Sequence, residues 1–187
     1  VEAMLPYFTE HYGNASSIYS LGQESKEAMT AGRAQIAKVL GAKENEIYFT
    51  AGGSESDNWA LKATAEAYAS KGKHIITTKI ENHAILHTCQ YLEQRGFEVT
   101  YLAVDEFGVV KLSELEKAIR PDTILISVMF ANNEIGTIQP IKESGEIAHQ
   151  HGILFHTDAV QAFGQVPINV DEFGKVKLDE LEKAIRP

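Results

Sequence analysis

Five short runs of apolar, β-branched and aromatic residues punctuate the chain. They are EIYFT ending at Thr50, HIITTKI from His74, EVTYLAV from Glu98, TILISVMF from Thr123 and ILFHTDAV from Ile153. Runs of this length and composition predict buried strands. Between them lie longer segments with helical spacing: ESKEAMTAGRAQIAKVLG, SESDNWALKATAEAYASKG, AILHTCQYLEQRG, LSELEKAIR and KESGEIAHQHG. Several end in glycine, the residue that most readily stops a helix. The alternation predicts an α/β fold, a mostly parallel sheet flanked by helices on both faces and joined by right-handed crossovers. Ligands in such sheets bind at the carboxyl ends of strands, so the strand ends are where chemistry is sought.

One stretch interrupts the alternation by repeating itself. VDEFGVVKLSELEKAIRP runs from Val104 to Pro121, and VDEFGKVKLDELEKAIRP runs from Val170 to Pro187, with Val109 against Lys175 and Ser113 against Asp179 as the only differences. Two copies separated by unrelated sequence do not make a solenoid, which needs three or more regular units. The first copy predicts a crossover in which Gly108 turns the chain and Leu112, Leu115 and Ile119 face the sheet. The second keeps that face as Leu178, Leu181 and Ile185, and predicts another helix covering apolar surface.

Composition narrows the function classes. With 187 residues, 44% of them hydrophobic, the chain can bury a sizeable core without requiring two domains. A formal charge of -9, with no run of Lys or Arg, argues against a nucleic-acid partner. The single cysteine, Cys89, cannot form an intramolecular disulfide, so a reducing, cytoplasmic setting fits. No window approaches the ~18 to 20 apolar residues of a membrane span, and VEAMLPYFTE lacks the basic-then-apolar order of a leader. Neither a membrane nor secretion is expected. The sequence opens without Met and inside a helical pattern, which suggests a fragment or a processed chain.

Four strand ends carry candidate chemistry. In IYFTAGGSESDNWALK the run stops at Thr50, two glycines follow, and Ser54 is expected at the helix N-cap. Exposed N–H groups, a hydroxyl and the positive end of a helix would hold an anion, most naturally a phosphate; a tight turn with a cap reads equally from these residues. In FHTDAVQAFG, Asp158 follows an apolar strand, where a carboxylate needs a cationic or hydrogen-bonding partner, and Gln161 can bond beside it; the alternative is an Asp that caps the next turn. In MFANNEIGTIQP the adjacent Asn132 and Asn133 read as site amides or as a polar turn. In KIENHAILH, Asn82 or His83 could face the same pocket; His83 and His87 are spaced i and i+4 but lack the Glu of a zinc-hydrolase motif, so no metal site is expected. An anion cradle, an Asp suited to a ring cation, neutral amides and an imidazole together match the needs of a phosphorylated heteroaromatic cofactor.

These motifs resemble a known family. EAMLPYFTEHYGNASSIYSLGQES, IYFTAGGSESDNWALK, HIITTKIENHAILHTC, VMFANNEIGTIQPI and FHTDAVQAFGQVPI, in this order, are similar to the cysteine desulfurases of the class V aminotransferases, which are pyridoxal phosphate enzymes. The resemblance covers almost everything from Val1 to about Val170. It implies that residues 1–170 form the cofactor-binding large domain of a fold type I enzyme, truncated at both ends, and that 171–187 are a duplicated helical tail. It implies that Gly53 and Ser54 hold the phosphate and that Asp158 pairs with the pyridine nitrogen. Gln161 would bond the phenolic oxygen, with Asn133 near the same edge. It implies L-cysteine as substrate, alanine as product, and sulfur carried as a persulfide to acceptor proteins for iron-sulfur cluster or thio-cofactor synthesis, in a cytoplasmic homodimer.

Three departures qualify that expectation. Family members carry Glu-His-x-Ala where this chain has Glu81-Asn82-His83-Ala84, so the ring-stacking histidine aligns with Asn82 and His83 is turned by about 100°. The Ser-Gly-His-Lys segment that holds the Schiff-base lysine is not in the sequence; its place falls in the tail, near Ala184, where the neighbouring Lys183 belongs to an amphipathic helical pattern. The sulfur-accepting cysteine is not matched either, Cys89 being expected as a buried thiol. The chain is therefore expected to hold the cofactor weakly, without turnover. Two competing readings are a non-catalytic scaffold, chimera or design, and a selenocysteine lyase or other class V enzyme.

Overall fold

The run from His74 to Thr78 is apolar and β-branched with no alternation, and it becomes the central strand because both of its faces are covered. In the computed structural model, which describes residues 1–173, this strand is β1 (His74–Thr78). It is joined by β2 (Glu98–Leu102), β3 (Thr123–Ser127) and β4 (Leu154–His156) in a sheet of order β2-β1-β3-β4, parallel throughout. The helices are α1 (Pro6–Thr9), α2 (Ser20–Leu40), α3 (Gly53–Tyr68), α4 (His83–Glu93), α5 (Leu112–Ala118) and α6 (Ile141–Gln150). The α/β class and parallel sheet expected from the sequence are what the chain adopts.

Contacts divide the chain into two units, Val1–Tyr48 and Phe49–Pro187. The first holds α1 and α2 with a short 3-10 turn at Glu44–Glu46, and the Arg33 Nε donates to the Ile47 carbonyl. The second holds the whole sheet. The expected strand EIYFT does not form: no ladder reaches residues 47–50 among the described residues, and β-rich composition alone does not make a strand where no ladder forms.

Helices cover both faces of the sheet. On the face carrying Ile75, Leu125 and Leu154, α3 supplies Leu61, Ala65 and Tyr68, and α4 supplies Ile85, Cys89 and Leu92. The opposite face carries Phe155, against which α6 packs so closely that a Cβ on Gly145 would lie 3.4 Å from the ring. Fully buried His74 ties β1 to both neighbours, Nδ1 to Thr123 Oγ1 at 2.7 Å and Nε2 to Thr100 Oγ1 at 2.8 Å. Burial, then the Arg120 charge, hold its pKa below the usual value, so it serves as a neutral cross-link.

The first repeat copy is the expected crossover. Val104 and Val110 pair, Gly108 turns the chain at φ 77°, and the buried Gln139 amide clamps the turn by accepting from Val110 N–H and donating to the Gly108 carbonyl. Leu115 is fully buried under α5, which ends at Ala118, so Ile119 continues extended. The second copy lies outside the described residues from Gly174 onward.

The sheet has a switch point. From β1 the chain moves through α4 to β2 on one side, and from β3 through α6 to β4 on the other, so the crossover connections diverge between β1 and β3. The crevice outside their carboxyl ends is where a parallel sheet offers room for a ligand.

Candidate active site

That crevice is occupied by a cavity of about 170 Å³. Its upper wall is the start of α3. Thr50 Oγ1 donates to the Gly52 carbonyl and bonds Ser56 Oγ, while Ala51 N–H donates to the Glu55 carboxylate. Because Glu55 and Ser56 close this turn from inside the helix, the N-cap falls at Gly52, and Ser54, expected at the cap, instead sits in the first turn with its hydroxyl uncommitted to capping. The N–H groups of Gly53 and Ser54 have no backbone acceptor among the described residues. A positive helix end with free donors is suited to an anion. Gly53 lies close to the turn after β4: a Cβ there would lie 2.7 Å from Val160 Cγ2, so any larger residue would make the Val160 side chain shift.

The floor comes from the turn after β4. Asp158 Oδ1 accepts from Val160 N–H at 3.0 Å, and its carbonyl accepts from Phe130 N–H at 2.8 Å, which fastens this turn to the chain leaving β3. Gln161 and Asn133 line the same cavity. Asn132, the other member of the pair, instead folds the polar turn: its Oδ1 accepts from Glu134 and Ile135 N–H and its Nδ2 donates to the Ile80 carbonyl. The structure thus brings Gly53, Ser54, Asn82, Asn133, Asp158 and Gln161 together around one space.

His83 does not line this cavity. Asn82 is the N-cap of α4, its Oδ1 accepting from Ala84 N–H at 2.9 Å, and His83 lines an adjoining groove of about 410 Å³ with Asn58, Lys62 and His87, which shares Ser54 and Asn82 with the cavity. There the His83 and His87 rings stack 5.3 Å apart. Among the described residues no cluster of three or more His, Cys, Asp or Glu side chains could hold a metal.

Buried Asp57 and Glu81 and half-buried His156 were given no site role from the sequence. Asp57, 4% exposed, lines the cavity and is pushed up to about pKa 7 by burial and then by Asp158. Glu81 accepts through Oε1 from the Thr78 hydroxyl and from Met129 N–H, tying the end of β1 to the end of β3, while its buried Oε2 has no partner among the described residues. Burial raises its pKa to about 7 as well. His156 Nε2 lies 3.7 Å from Asp57 Oδ1, but burial lowers its pKa to about 4, so this contact is not an ion pair at neutral pH. Asp57 had a legible signal: it heads the buried stripe Leu61, Ala65 and Tyr68, where a carboxylate is out of place.

The chain is similar to known proteins over most of its length. The family model described as aminotransferase class-V matches residues 1–176. A cysteine desulfurase IscS of Methanosarcina thermophila is 67% identical over 170 residues, covering 91% of this chain and 42% of the relative. One from Clostridium botulinum is 59% identical over 172 residues, covering 92% and 43%. Among solved structures, a NifS-like protein superposes with a TM-score of 0.88 at 44% identity, over 92% of this chain and 48% of that one. SspA in complex with cysteine gives 0.89 at 41%, over 92% and 50%. The chain spans less than half the length of the curated relatives it matches.

Proposed function

The chain belongs to the class V aminotransferase family, as a partial homologue of the cysteine desulfurases, and on that premise we propose that it forms the cradle for pyridoxal phosphate. The observation that carries this reading is the cavity at the switch point, with helix-end donors at one wall and a carboxylate at the other. A group with a phosphate at one end and a basic ring nitrogen at the other fits that polarity. The orphaned Asp57 carboxyl fits too, since it lacks a cation that such a ring supplies.

When bound, the cofactor supplies an electron sink for bonds to the substrate's α-carbon. The residues here hold and bias it. Gly53 and Ser54 bind the phosphate through N–H groups and the hydroxyl. Asp158 accepts from the ring N–H and keeps that proton in place, because removing it would leave the carboxylate facing a neutral ring. Gln161 donates to the phenolic oxygen, with Asn133 at the same edge. Asn82 has its Oδ1 committed to Ala84 N–H and its Nδ2 left for the ring face. An amide has no usable pKa near neutrality, so Asn82 orients without moving protons. His83 lines the adjoining groove rather than the cavity, one residue beyond Asn82, so it is placed beside the cradle and not in it.

In this reading, residues 1–170 are the truncated large domain and 171–187 the duplicated segment in place of the lysine segment. The whole protein would release sulfur from L-cysteine as a cytoplasmic homodimer and pass it to acceptor proteins. For these 187 residues we propose binding without turnover. Equilibrium dialysis tests it: pyridoxal phosphate should bind saturably, one per chain, with roughly tenfold or greater loss in Asp158→Asn. Borohydride should trap no labelled lysine, and L-cysteine should yield no alanine. Equal binding by Asp158→Asn would refute the cradle, and a single labelled lysine would refute the lack of turnover.

A further inference from the structure

Asp57 has no role in the cradle as assigned so far, yet its surroundings are those of a ligand group. It sits on the buried face of α3, one turn beyond Gly53, and lines the same cavity as Asp158. No hydrogen bond reaches its carboxyl among the described residues; His156 Nε2 lies 3.7 Å from its Oδ1. His156 is itself held from behind, Nδ1 to Ser127 Oγ at 2.9 Å. The other titratable groups facing Asp57 are Asp158 on the same cavity and Glu81 from the β1–α4 turn, both acidic. Among the described residues no Lys or Arg lines the cavity.

A buried carboxylate without a donor or cation is strongly disfavoured, and two on one small cavity are worse. Either Asp57 carries a proton or a cation enters. We propose that Asp57 is a second positioning residue for the ring: it holds a proton while the cavity lacks a cation, and shares the ring's positive charge with Asp158 once the ring docks. On docking, the O–H bond of the Asp57 carboxyl breaks and the proton leaves to solvent; nothing is oxidised or reduced. This inference rests on the cradle reading above. It also assigns His156 and Ser127 a purpose, since a neutral imidazole fixed by Ser127 limits where the Asp57 carboxyl can lie.

The test has a ligand-free and a ligand-bound part. Carbon-13 NMR of the Asp57 carboxyl in the ligand-free chain, assigned with Asp57→Asn, should show titration near neutrality, at about 7. Affinity for pyridoxine 5'-phosphate, which has no aldehyde to react, is then measured for both proteins from about pH 5.5 to about pH 8.5. Taking the ratio of the two dissociation constants removes the ligand's own titrations. The ratio should be near one in acid and rise on the order of tenfold in base, where only the wild type can place a second charge by the ring. A merely structural Asp57 would give a ratio that does not move with pH. Binding with a flat ratio, or a carboxyl that titrates in the ordinary range near 4, overturns this inference alone; no binding by the wild type overturns the cradle reading and this inference together. Should Asp57→Asn fail to fold, Asp57→Ser serves in the affinity series, and the wild-type titration still decides the protonation state.

Discussion

Cys89 illustrates how position decides what a side chain can do. It lies on the inner face of α4, fully buried among Leu61, Ile75 and Ile85, and burial first, then Glu81 and Glu93, raise its pKa to about 12. A thiolate is the reactive form, so Cys89 is inert in the folded chain. Ellman's reagent should modify it far more slowly than it modifies the unfolded chain, by at least about a hundredfold; comparable rates would mean that α4 opens readily. The same logic sorts the acids. Asp158 was legible in the sequence because a carboxylate follows an apolar run, and Gln161 because it lies beside that carboxylate. Asp57 was not singled out, because its neighbours in sequence, Ser56 and Asn58, are polar, and only the helical stripe places it inside. Glu81 was read as part of a motif, whereas its work is mechanical: one oxygen holds the ends of β1 and β3 together through Thr78 and Met129.

At the level of elements, the sequence predicted the four paired strands and five longer helices, and failed where a partner or a cap decided the outcome. EIYFT has strand composition but joins no ladder among the described residues, so it stays irregular. Ser54 is a good capping residue by type, but the Glu55 and Ser56 side chains close the turn first and move the cap to Gly52. The approach of α3 to the Asp158 turn rests on Gly53. Gly53→Ala puts a methyl against Val160, an exposed side chain able to rotate, so the fold should survive with a loss of about 1 kcal/mol. Pyridoxal phosphate affinity should fall several-fold, and Val160→Ala in the same chain should recover most of it. No loss in the single variant would mean that the start of α3 is not held against Val160. Under α5, Leu115→Ala removes a fully buried side chain and should cost about 2–5 kcal/mol by denaturant unfolding; the exposed Ser113→Asp, which copies the second repeat, should change stability by about 0.5 kcal/mol or less.

Across the sheet-bearing unit, the cluster of buried titratable groups makes stability depend on pH in a predictable direction. Asp57 and Glu81 have folded-state pKa values raised to about 7, so the folded chain binds more protons than the unfolded one between their ordinary values and 7. Their contribution is complete in acid and is lost as pH rises through 7. His156, lowered to about 4, acts oppositely, its contribution being lost as pH falls from its ordinary value of 6.5 through 4. Two carboxyls against one imidazole leave stability falling as pH rises toward 7. Glu81→Gln keeps the acceptor for Thr78 and Met129 without the charge, so thermal melts from about pH 5.5 to about pH 8.5 should show a shallower decline than the wild type; an unchanged slope would mean that Glu81 is already ionised in the fold. The same acids and the free donors of α3 lie at the switch point of the sheet, and that coincidence underlies the whole functional reading. A crystal structure of the chain soaked with pyridoxal phosphate tests it most directly. The account predicts the phosphate on the Gly53 and Ser54 N–H groups and the ring nitrogen against Asp158, with Asn82 over the ring; a cofactor found instead in the His83–His87 groove, or on a surface lysine, would contradict it.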